Sequence, residues 1–177
     1  SVVVHHAAYR AAMFRIVLFE PEIPPNTGNV IRLCANTGAE LHLIKPLGFD
    51  LDRRSVRRAG LDYRWMTAVH VHENFAACRR AIAEAEGTQP PHWYAIETGG
   101  RRRYDEARYV AGDVLLFGSE RRGLPTPLLE ELGEDALLSI PMREGNRSLN
   151  LSNAVTLVTY EAWRQNSFEI RPAAAIP

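Results

Sequence analysis

Short apolar runs alternate with amphipathic stretches along most of this chain. The runs are typical of buried strands, since each is bounded by proline, glycine or polar residues. Strands are predicted at Phe14–Glu20, Glu40–Lys45, Thr67–His72, His92–Glu97, Val114–Gly118 and Ala136–Ile140. Helices are predicted at Pro25–Asn36, Arg53–Ala59, Asn74–Glu86, Pro125–Leu132 and Leu149–Gln165. This alternation predicts an α/β fold, with a mostly parallel sheet covered by helices on both faces.

The first predicted helix has clear signals at both ends. Asn26 and Thr27 follow Pro25 and can cap free backbone N–H groups, while Gly38 is typical of a helix C-terminus. Gly87–Pro91 is predicted as a loop, and Thr98–Gly112 is predicted as a loop with some irregular structure.

Apolar residues cover more than one face of the last predicted helix. These residues are Leu149, Leu151, Ala154, Val155, Leu157, Val158, Ala162 and Trp163. A helix that is apolar on several sides must be buried on several sides. In a chain of 177 residues this pattern predicts a homodimer.

Composition narrows the class of protein. The formal net charge is zero, which argues against coating nucleic acid by bulk charge but leaves room for a local basic patch. Cys34 and Cys78 form no CxxC pair and are predicted to be buried free thiols in a reducing cytoplasm. No apolar run approaches the ~18 residues that span a bilayer.

Residues 13–166 are predicted to form one domain, because the chain shows no repeat and no interdomain linker. Met13 directly precedes the first apolar run. We therefore expect residues 1–12 to be an artificial or upstream extension, and residues 167–177 to be a C-terminal tail.

Two glycine-bearing turns each follow an apolar run. The first is Gly118–Pro125, and the second is the stretch from Pro141 to Asn153. In open α/β sheets, ligands bind outside the carboxyl ends of the strands, where such turns lie. The two turns therefore predict one small-molecule pocket built from neighbouring loops.

Several nucleotide and metal motifs are missing. Gly118 and Gly123 have phosphate-loop spacing, but Leu124 and Pro125 replace the required Lys and Ser/Thr. No GxGxxG follows the first strand, and no HExxH, CxxC or clustered histidine and carboxylate set predicts a catalytic metal. His70 and His72 share one strand face and are interpreted as exposed strand residues. The pocket therefore suits a neutral-to-cationic nucleoside-like cofactor better than a triphosphate.

Four blocks of this chain match the motifs of a known family: Pro21–Gly38, Arg58–Tyr63, Phe117–Pro125 and Ser148–Val155. With these blocks the chain resembles the SPOUT superfamily of RNA methyltransferases, and within it the YibK/TrmL-like group. They occur in the family's order, and the resemblance extends from Phe14 to Gln165. That group methylates the ribose 2′-oxygen of the wobble nucleotide of certain transfer RNAs, which is cytidine or a modified uridine.

The resemblance implies a C-terminal deep trefoil knot and an obligate homodimer whose active site uses both subunits. It also implies S-adenosylmethionine as the cofactor, S-adenosylhomocysteine as the product, and no metal. The cofactor-binding residues that it implies are Ile96, Gly118, Glu120, Gly123, Ile140, Met142, Ser148 and Leu149. Glu97 departs from the small polar residue expected beside this group.

The catalytic residues implied by the resemblance are Asn26, Arg32, Ser148 and Asn150. A guanidinium rarely gives up its proton, so we hypothesise that Arg32 binds the target's phosphate and stabilises the developing alkoxide. A substrate phosphate or water would then accept the proton. Asn26 and Arg32 are expected to face the same loop cluster.

Simpler interpretations of these residues remain open. Asn26 can serve as a helix cap only, and Ser148 and Asn150 can cap the last helix. Gly118 and Gly123 can serve turn geometry alone, and Glu120 can hold its loop by accepting backbone N–H groups.

Alternative interpretations also remain for the arginine runs and for the overall function. Arg101–Arg103 and the arginines of 53–58 are either a solvated face or RNA contacts, and Arg121 and Arg122 are the better RNA-binding candidates. The enzyme can act on another transfer RNA or ribosomal RNA position, or be a catalytically inactive RNA-binding relative.

Overall fold

The computed structural model describes residues 12–86 and 89–171. Its strands are β1 Arg15–Phe19, β2 Glu40–Ile44, β3 Val69–His72, β4 Trp93–Ile96, β5 Arg102–Arg103, β6 Val114–Phe117 and β7 Leu137–Ser139. Its α-helices are α1 Pro24–Thr37, α2 Arg53–Arg58, α3 Phe75–Glu86, α4 Thr126–Leu132 and α5 Leu151–Gln165. Two 3₁₀ segments, Tyr63–Ala68 and Glu134–Ala136, precede β3 and β7.

The strands form one parallel sheet with the order β3-β2-β1-β6-β4-β7-β5. Alternate residues of the central strands enter two separate cores because successive side chains of a strand point to opposite faces. Ile16 and Leu18 pack with α1 and α5, whereas Val17 packs with Cys78 and Ile82 of α3. The predicted α/β class, with helices on both faces of the sheet, is confirmed.

Two of the predicted helix-end signals are confirmed, and one is wrong. Gly38 ends α1 in the left-handed conformation (φ 77°), and Asn74 accepts a bond from the Ala77 backbone N–H at the start of α3. However, α1 begins at Pro24, and its N-cap Ile23 makes no side-chain cap bond. Asn26 is therefore inside the first turn, and the interpretation of Asn26 as a cap is wrong.

Two segments differ from the sequence prediction. The strand predicted to begin at Thr67 begins at Val69, because the 3₁₀ segment Tyr63–Ala68 occupies the preceding residues. The predicted loop 98–112 contains β5, which pairs with β7 at the sheet edge. β5 is two residues long and carries two arginines, so no apolar periodicity signals it.

Several predictions concern features that the described residues do not test. Residues 1–11, 87–88 and 172–177 lie outside them, so the extension, the tail and part of the 87–91 loop stay predictions. The knot implied by the resemblance also stays a prediction.

Both cysteines are buried and free, as expected, and burial is the main cause that raises the pKa of each thiol to about 12. Within the described part of the chain, no helix has the length and apolarity to cross a membrane.

Strand pairing brings together histidines and a carboxylate that are scattered in sequence. His42 on β2 lies opposite His70 on β3, and Glu40 lies two residues before His42 on the same face. The search for local metal motifs therefore did not find this cluster, and the expectation of no catalytic metal stays a prediction. Parallel pairing across β2 and β3 is a long-range contact that residue spacing does not reveal.

Candidate active site

A cavity of about 540 Å³ opens at the carboxyl ends of β4, β6 and β7. The predicted cofactor-binding residues all line it: Ile96, Gly118, Glu120, Gly123, Ile140, Met142, Ser148 and Leu149. Asn26 and Asn150 also line it, so three of the four blocks quoted above meet at one place. The two glycine-bearing turns thus build one shared cavity, as predicted from their position after apolar strands.

The first turn folds back tightly between Gly118 and Gly123. The Gly123 backbone N–H donates to the Ser119 carbonyl at 2.9 Å, and Gly123 has a φ of 65°, which favours glycine. A Cβ on Gly118 would lie only 2.3 Å from the Gly123 carbonyl carbon. Turn geometry alone therefore requires both glycines, and close approach of a ligand to this backbone stays a prediction.

Glu120 connects this turn to the segment before α1. Its carboxylate accepts hydrogen bonds from the backbone N–H groups of Glu22 at 2.8 Å and Ile23 at 3.0 Å. The negative charge also lies at the positive N-terminal end of α1, which is favourable. Glu120 thus holds its loop by accepting backbone N–H groups, while its place in the cavity wall leaves cofactor contact as a prediction.

A chain of hydrogen bonds then runs from Glu120 through two asparagines to α5. The Asn26 side-chain amide lies 3.4 Å from Glu120 Oε1, and Asn26 Oδ1 accepts from Asn150 Nδ2 at 3.0 Å. Asn150 Oδ1 caps α5 by accepting from the Ser152 backbone N–H at 3.0 Å. Because a carboxylate only accepts, each amide has one consistent orientation. We call Glu120, Asn26, Asn150 and Ser152 the amide relay.

Ser148 and Asn150 differ in their structural roles. Asn150 is the N-cap of α5, as the simpler interpretation held, and it also reaches Asn26. Ser148 lies two residues before the cap, is exposed and lines the cavity. The last helix begins at Leu151, not at Leu149 as predicted, because Asn150 already bonds the first free N–H groups.

Arg32 does not line this cavity. Its side chain is exposed on α1, and its guanidinium carbon lies 5.8 Å from the centre of the Trp65 ring. Six residues of α-helix advance by about 600°, which leaves Asn26 and Arg32 about 120° apart. The expectation that both face the same loop cluster holds for Asn26 only, within one subunit. A helical wheel would have found this difference from the sequence.

Charged side chains surround the cavity mouth. Arg121, Arg122 and Arg147 line it and are exposed, and Arg122 lies 3.5 Å from Glu20 across the loop. Glu97 also lines the cavity, with both carboxylate oxygens 3.7 Å from where a Cβ on Gly123 would lie. The site therefore offers a carboxylate in its wall and guanidinium groups at its rim.

Sequence reasoning missed seven lining residues. Thr98 and Arg147 lie outside the four quoted blocks, and the other five lie within them: Ile23, Phe117, Ser119, Leu151 and Ala154. Thr98 donates to the Arg147 carbonyl at 3.4 Å and so connects the two loops. Arg147 directly precedes the quoted Ser148 block, so its position was the one available signal. Thr98 carries no local pattern that indicates a site.

The fold and this site define the class of the protein. The chain belongs to the SpoU rRNA Methylase family, whose model matches residues 13–160. The match includes every element from β1 into α5 that surrounds the cavity.

Individual relatives have names that specify a reaction more closely than the family name does. The chain is 53% identical over 157 residues to the tRNA (cytidine(34)-2′-O)-methyltransferase of Burkholderia ambifaria, covering 89% of this chain and 98% of that protein. It is 52% identical over 153 residues to the Escherichia coli K12 protein of the same name, covering 86% and 94%.

Solved structures agree with these relatives. A structure described as giving insights into the 2-OH methylation of C/U34 on tRNA is similar with a TM-score of 0.78 and 43% identity, covering 89% of this chain and 99% of that one. An AdoMet-bound rRNA methyltransferase from Sinorhizobium meliloti is similar with a TM-score of 0.70 and 26% identity, covering 85% and 56%.

Proposed function

We propose that this protein transfers a methyl group from S-adenosylmethionine to the ribose 2′-oxygen of the wobble nucleotide of transfer RNA, a cytidine or modified uridine. The observation that carries the proposal is one cavity that is lined by all the residues expected from the resemblance except Arg32. Identity above 50% to relatives named for this reaction, over nearly their whole length, supports the choice of substrate.

The cavity fits the cofactor in size and chemistry. Its volume of about 540 Å³ lies within the range of about 300–1,000 Å³ typical of small-molecule sites. Ile96, Ile140, Met142 and Leu149 offer apolar surface for an adenine ring, and Glu97 offers a carboxylate for an amino or ribose group. When bound, S-adenosylmethionine supplies an electrophilic methyl group on a sulfonium.

Methyl transfer forms a carbon–oxygen bond at the ribose and breaks the carbon–sulfur bond, leaving S-adenosylhomocysteine. A ribose hydroxyl is a poor nucleophile at neutral pH, so the protein must align it and help its proton leave. Arg32 binds the target's phosphate and stabilises the developing alkoxide, and a substrate phosphate or water accepts the proton. Asn26 and Asn150 hold the loops against which the ribose is aligned, and Ser148 offers its hydroxyl at the cavity wall.

This role for Arg32 requires a second subunit, because Arg32 is exposed and outside the cavity of its own chain. A homodimer would bring Arg32 of one subunit to the cavity of the other. Apolar surface on α5 supports such an interface: Leu157 is 37% exposed and Tyr160 is 41% exposed, although α5 is otherwise packed against α1 and the sheet. Burying these side chains would contribute to association.

Transfer RNA is held through its phosphates, and the protein acts in the cytoplasm. Arg121, Arg122 and Arg147 at the cavity rim are exposed guanidinium groups that can bind phosphate in a bidentate manner. The charge of the whole chain is zero, so this local patch provides the attraction.

The test is methyl transfer in vitro from labelled S-adenosylmethionine to transfer RNA that carries cytidine 34, followed by mass mapping. We expect one methyl group at nucleotide 34. The matched control is the same RNA with a 2′-deoxy nucleotide at that position, which should accept none. Methylation at another position would overturn the wobble assignment, and cofactor binding without transfer to any RNA would favour the inactive relative.

A further inference from the structure

A second group of chemically active side chains lies on the other face of the sheet from α1 and α5, on strands β2 and β3. Glu40, His42 and His70 each present one ligand atom, and these three atoms lie within 4.8 Å of one another. The His42 and His70 rings stack with centres 4.8 Å apart. This Glu40–His42–His70 cluster shares no residue with the lining of the proposed active site.

The cluster contains a buried nitrogen with no hydrogen-bond partner. His42 is only 5% exposed, and its Nε2 atom makes no hydrogen bond. The nearest carboxylate oxygen, Glu40 Oε1, lies 3.9 Å away, which is too far for a hydrogen bond. Leaving a buried polar atom unsatisfied is costly, so this nitrogen calls for a partner between it and Glu40.

The other nitrogen of His42 fixes the ring. His42 Nδ1 lies 2.9 Å from His72 Nε2. In the tautomer that donates from Nδ1 to His72, Nε2 carries a lone pair directed towards Glu40. A histidine that binds a metal through one nitrogen and donates from the other to a neighbour is the usual arrangement in metal sites.

We propose that Glu40, His42 and His70 form a binding site for a divalent transition-metal ion of the zinc class, distinct from the active site. The ligand atoms are Glu40 Oε1, His42 Nε2 and His70 Nε2, and solvent supplies the remaining position. Two imidazoles and one carboxylate are a recognised ligand set for Zn²⁺.

The distances are close to those of a zinc site, but the stacked rings of His42 and His70 are only 19° from parallel, so the exposed His70 ring must turn for both nitrogens to face one ion. Two ligand atoms on a tetrahedral zinc ion are separated by about 3.4 Å, given Zn–N and Zn–O bonds near 2.0–2.2 Å. The His42 Nε2–Glu40 Oε1 distance of 3.9 Å is somewhat longer, and the His70 Nε2–Glu40 Oε1 distance of 2.9 Å is somewhat shorter. Metal entry replaces the hydrogen bond between His70 and Glu40 and gives His42 Nε2 its missing partner.

The surroundings favour binding. The Arg15 guanidinium lies 3.5 Å from Glu40 Oε2, so it holds the carboxylate by its second oxygen and leaves Oε1 towards the histidines. The His70 side chain is 44% exposed, which gives an ion access from solvent. Glu40 and Arg15 begin their strands, whereas the cavity lies at the opposite, carboxyl ends. The metal would therefore stabilise the β2–β3 edge and take no part in methyl transfer.

The experiment is a Zn²⁺ titration by calorimetry, combined with thermal unfolding and with Co²⁺ absorption spectra. All variants carry His5→Ala and His6→Ala, because these two histidines lie outside the described residues and are further nitrogen ligands. We expect one equivalent of Zn²⁺ and a rise in Tm, since a ligand that binds only the folded state stabilises it. His70→Ala and Glu40→Gln should each weaken Zn²⁺ affinity by at least about tenfold.

His92→Ala is the matched control, because His92 lies outside the cluster and pairs with Asp113. It should bind Zn²⁺ like the parent. No Zn²⁺ binding by the parent, or equal affinity in the parent, His70→Ala and Glu40→Gln, would overturn the proposal. A thiolate-to-cobalt charge-transfer band would also overturn it, because it would assign the ion to the neighbouring set of His42, His72 and Cys78. Both cluster variants are checked for native circular dichroism, and neither residue belongs to the proposed methyl-transfer site.

Discussion

The amide relay and the Glu40–His42–His70 cluster differ in how completely their polar side chains are hydrogen-bonded. In the relay, Glu120 accepts from two backbone N–H groups, and Asn150 both donates to Asn26 and caps α5. In the cluster, His42 is buried with one nitrogen left without a hydrogen bond. The relay is complete within one chain, whereas the cluster is complete only with an added partner.

This difference indicates a separate role for each region. The relay joins three loops that are far apart in sequence, and its internal bonds fix the shape of the cavity before any ligand arrives. Such preorganisation lowers the cost of binding and of aligning reactants. The cluster lies on two strands that are already paired by backbone hydrogen bonds, so the nitrogen of His42 that lacks a hydrogen bond contributes nothing to this pairing and points to a ligand.

The largest effect should come from Gly118→Ala, which tests whether the cavity beside the amide relay depends on the tight turn. The new methyl group would meet Gly123 backbone at 2.3 Å, so the turn must open. We expect about 3 kcal/mol lower stability, typical of severe overpacking, and a loss of S-adenosylmethionine affinity of at least about a hundredfold. Chemical denaturation and calorimetry measure both.

Gly99→Ala is the matched control for that change. A Cβ on Gly99 meets nothing within 4 Å, and the residue does not adopt a positive φ. It should bind the cofactor normally. If Gly118→Ala also bound normally, the tight turn would not be needed for the cavity.

Arg32→Lys should have the next largest effect, and it separates preorganisation of the cavity from catalysis. Lysine keeps the charge but loses the planar, bidentate donor set. We expect turnover to fall by about a hundredfold, which is typical of losing one stabilising donor, while cofactor affinity stays within twofold. Single-turnover kinetics and calorimetry distinguish the two. Near-full turnover would contradict the bidentate role.

Acid should destabilise the protein through the Glu40–His42–His70 cluster. Burial is the main cause that lowers the pKa of His42 from 6.5 to about 3, and the pKa of Glu40 is lowered mainly by its hydrogen bond from His70. Below pH 6.5 the unfolded chain binds a proton that folded His42 does not. Stability therefore falls as pH drops from 6.5 towards 3, by up to about 1.4 kcal/mol per pH unit for this group.

Denaturation at several pH values, with a chelator present, measures that slope. The groups that face His42 are Glu40, His70, His72, Arg15 and Cys78. His42→Gln should flatten the slope, while His92→Gln, whose side chain is 65% exposed, should change it little. An unchanged slope in His42→Gln would mean that other groups dominate the acid response.

The smallest effect is the coupling between Asn26 and Asn150. In a double-mutant cycle with alanine at both positions, we expect a coupling energy of about 1 kcal/mol, because the two amides share one hydrogen bond. The control cycle pairs Asn26→Ala with Asn74→Ala, which caps the separate helix α3 and should be additive. Additivity in the first cycle would show that the relay is not an energetic unit.

The sequence predicted which residues line the cavity better than it predicted the hydrogen bonds that hold the cavity loops together. Residues such as Gly118, Ile140 and Leu149 stand directly after apolar strands, so their place at the carboxyl edge followed from the parallel sheet. The bonds from Glu120 to Glu22 and Ile23 cross almost a hundred positions. No periodicity reports a contact of that kind. The prediction that Arg32 faces the same loops as Asn26 is wrong within one subunit, because six residues of α-helix place the two side chains about 120° apart.

What the sequence by itself determined is the α/β class, the two turns and the family, because these depend on local periodicity and on motifs read in order. Only the tertiary structure decided that Asn26 bonds Asn150 and that Glu40, His42 and His70 meet. The physical reason is that strand register and loop packing are set by the burial of the whole sheet, and they bring together side chains whose own neighbours in sequence carry no trace of the contact.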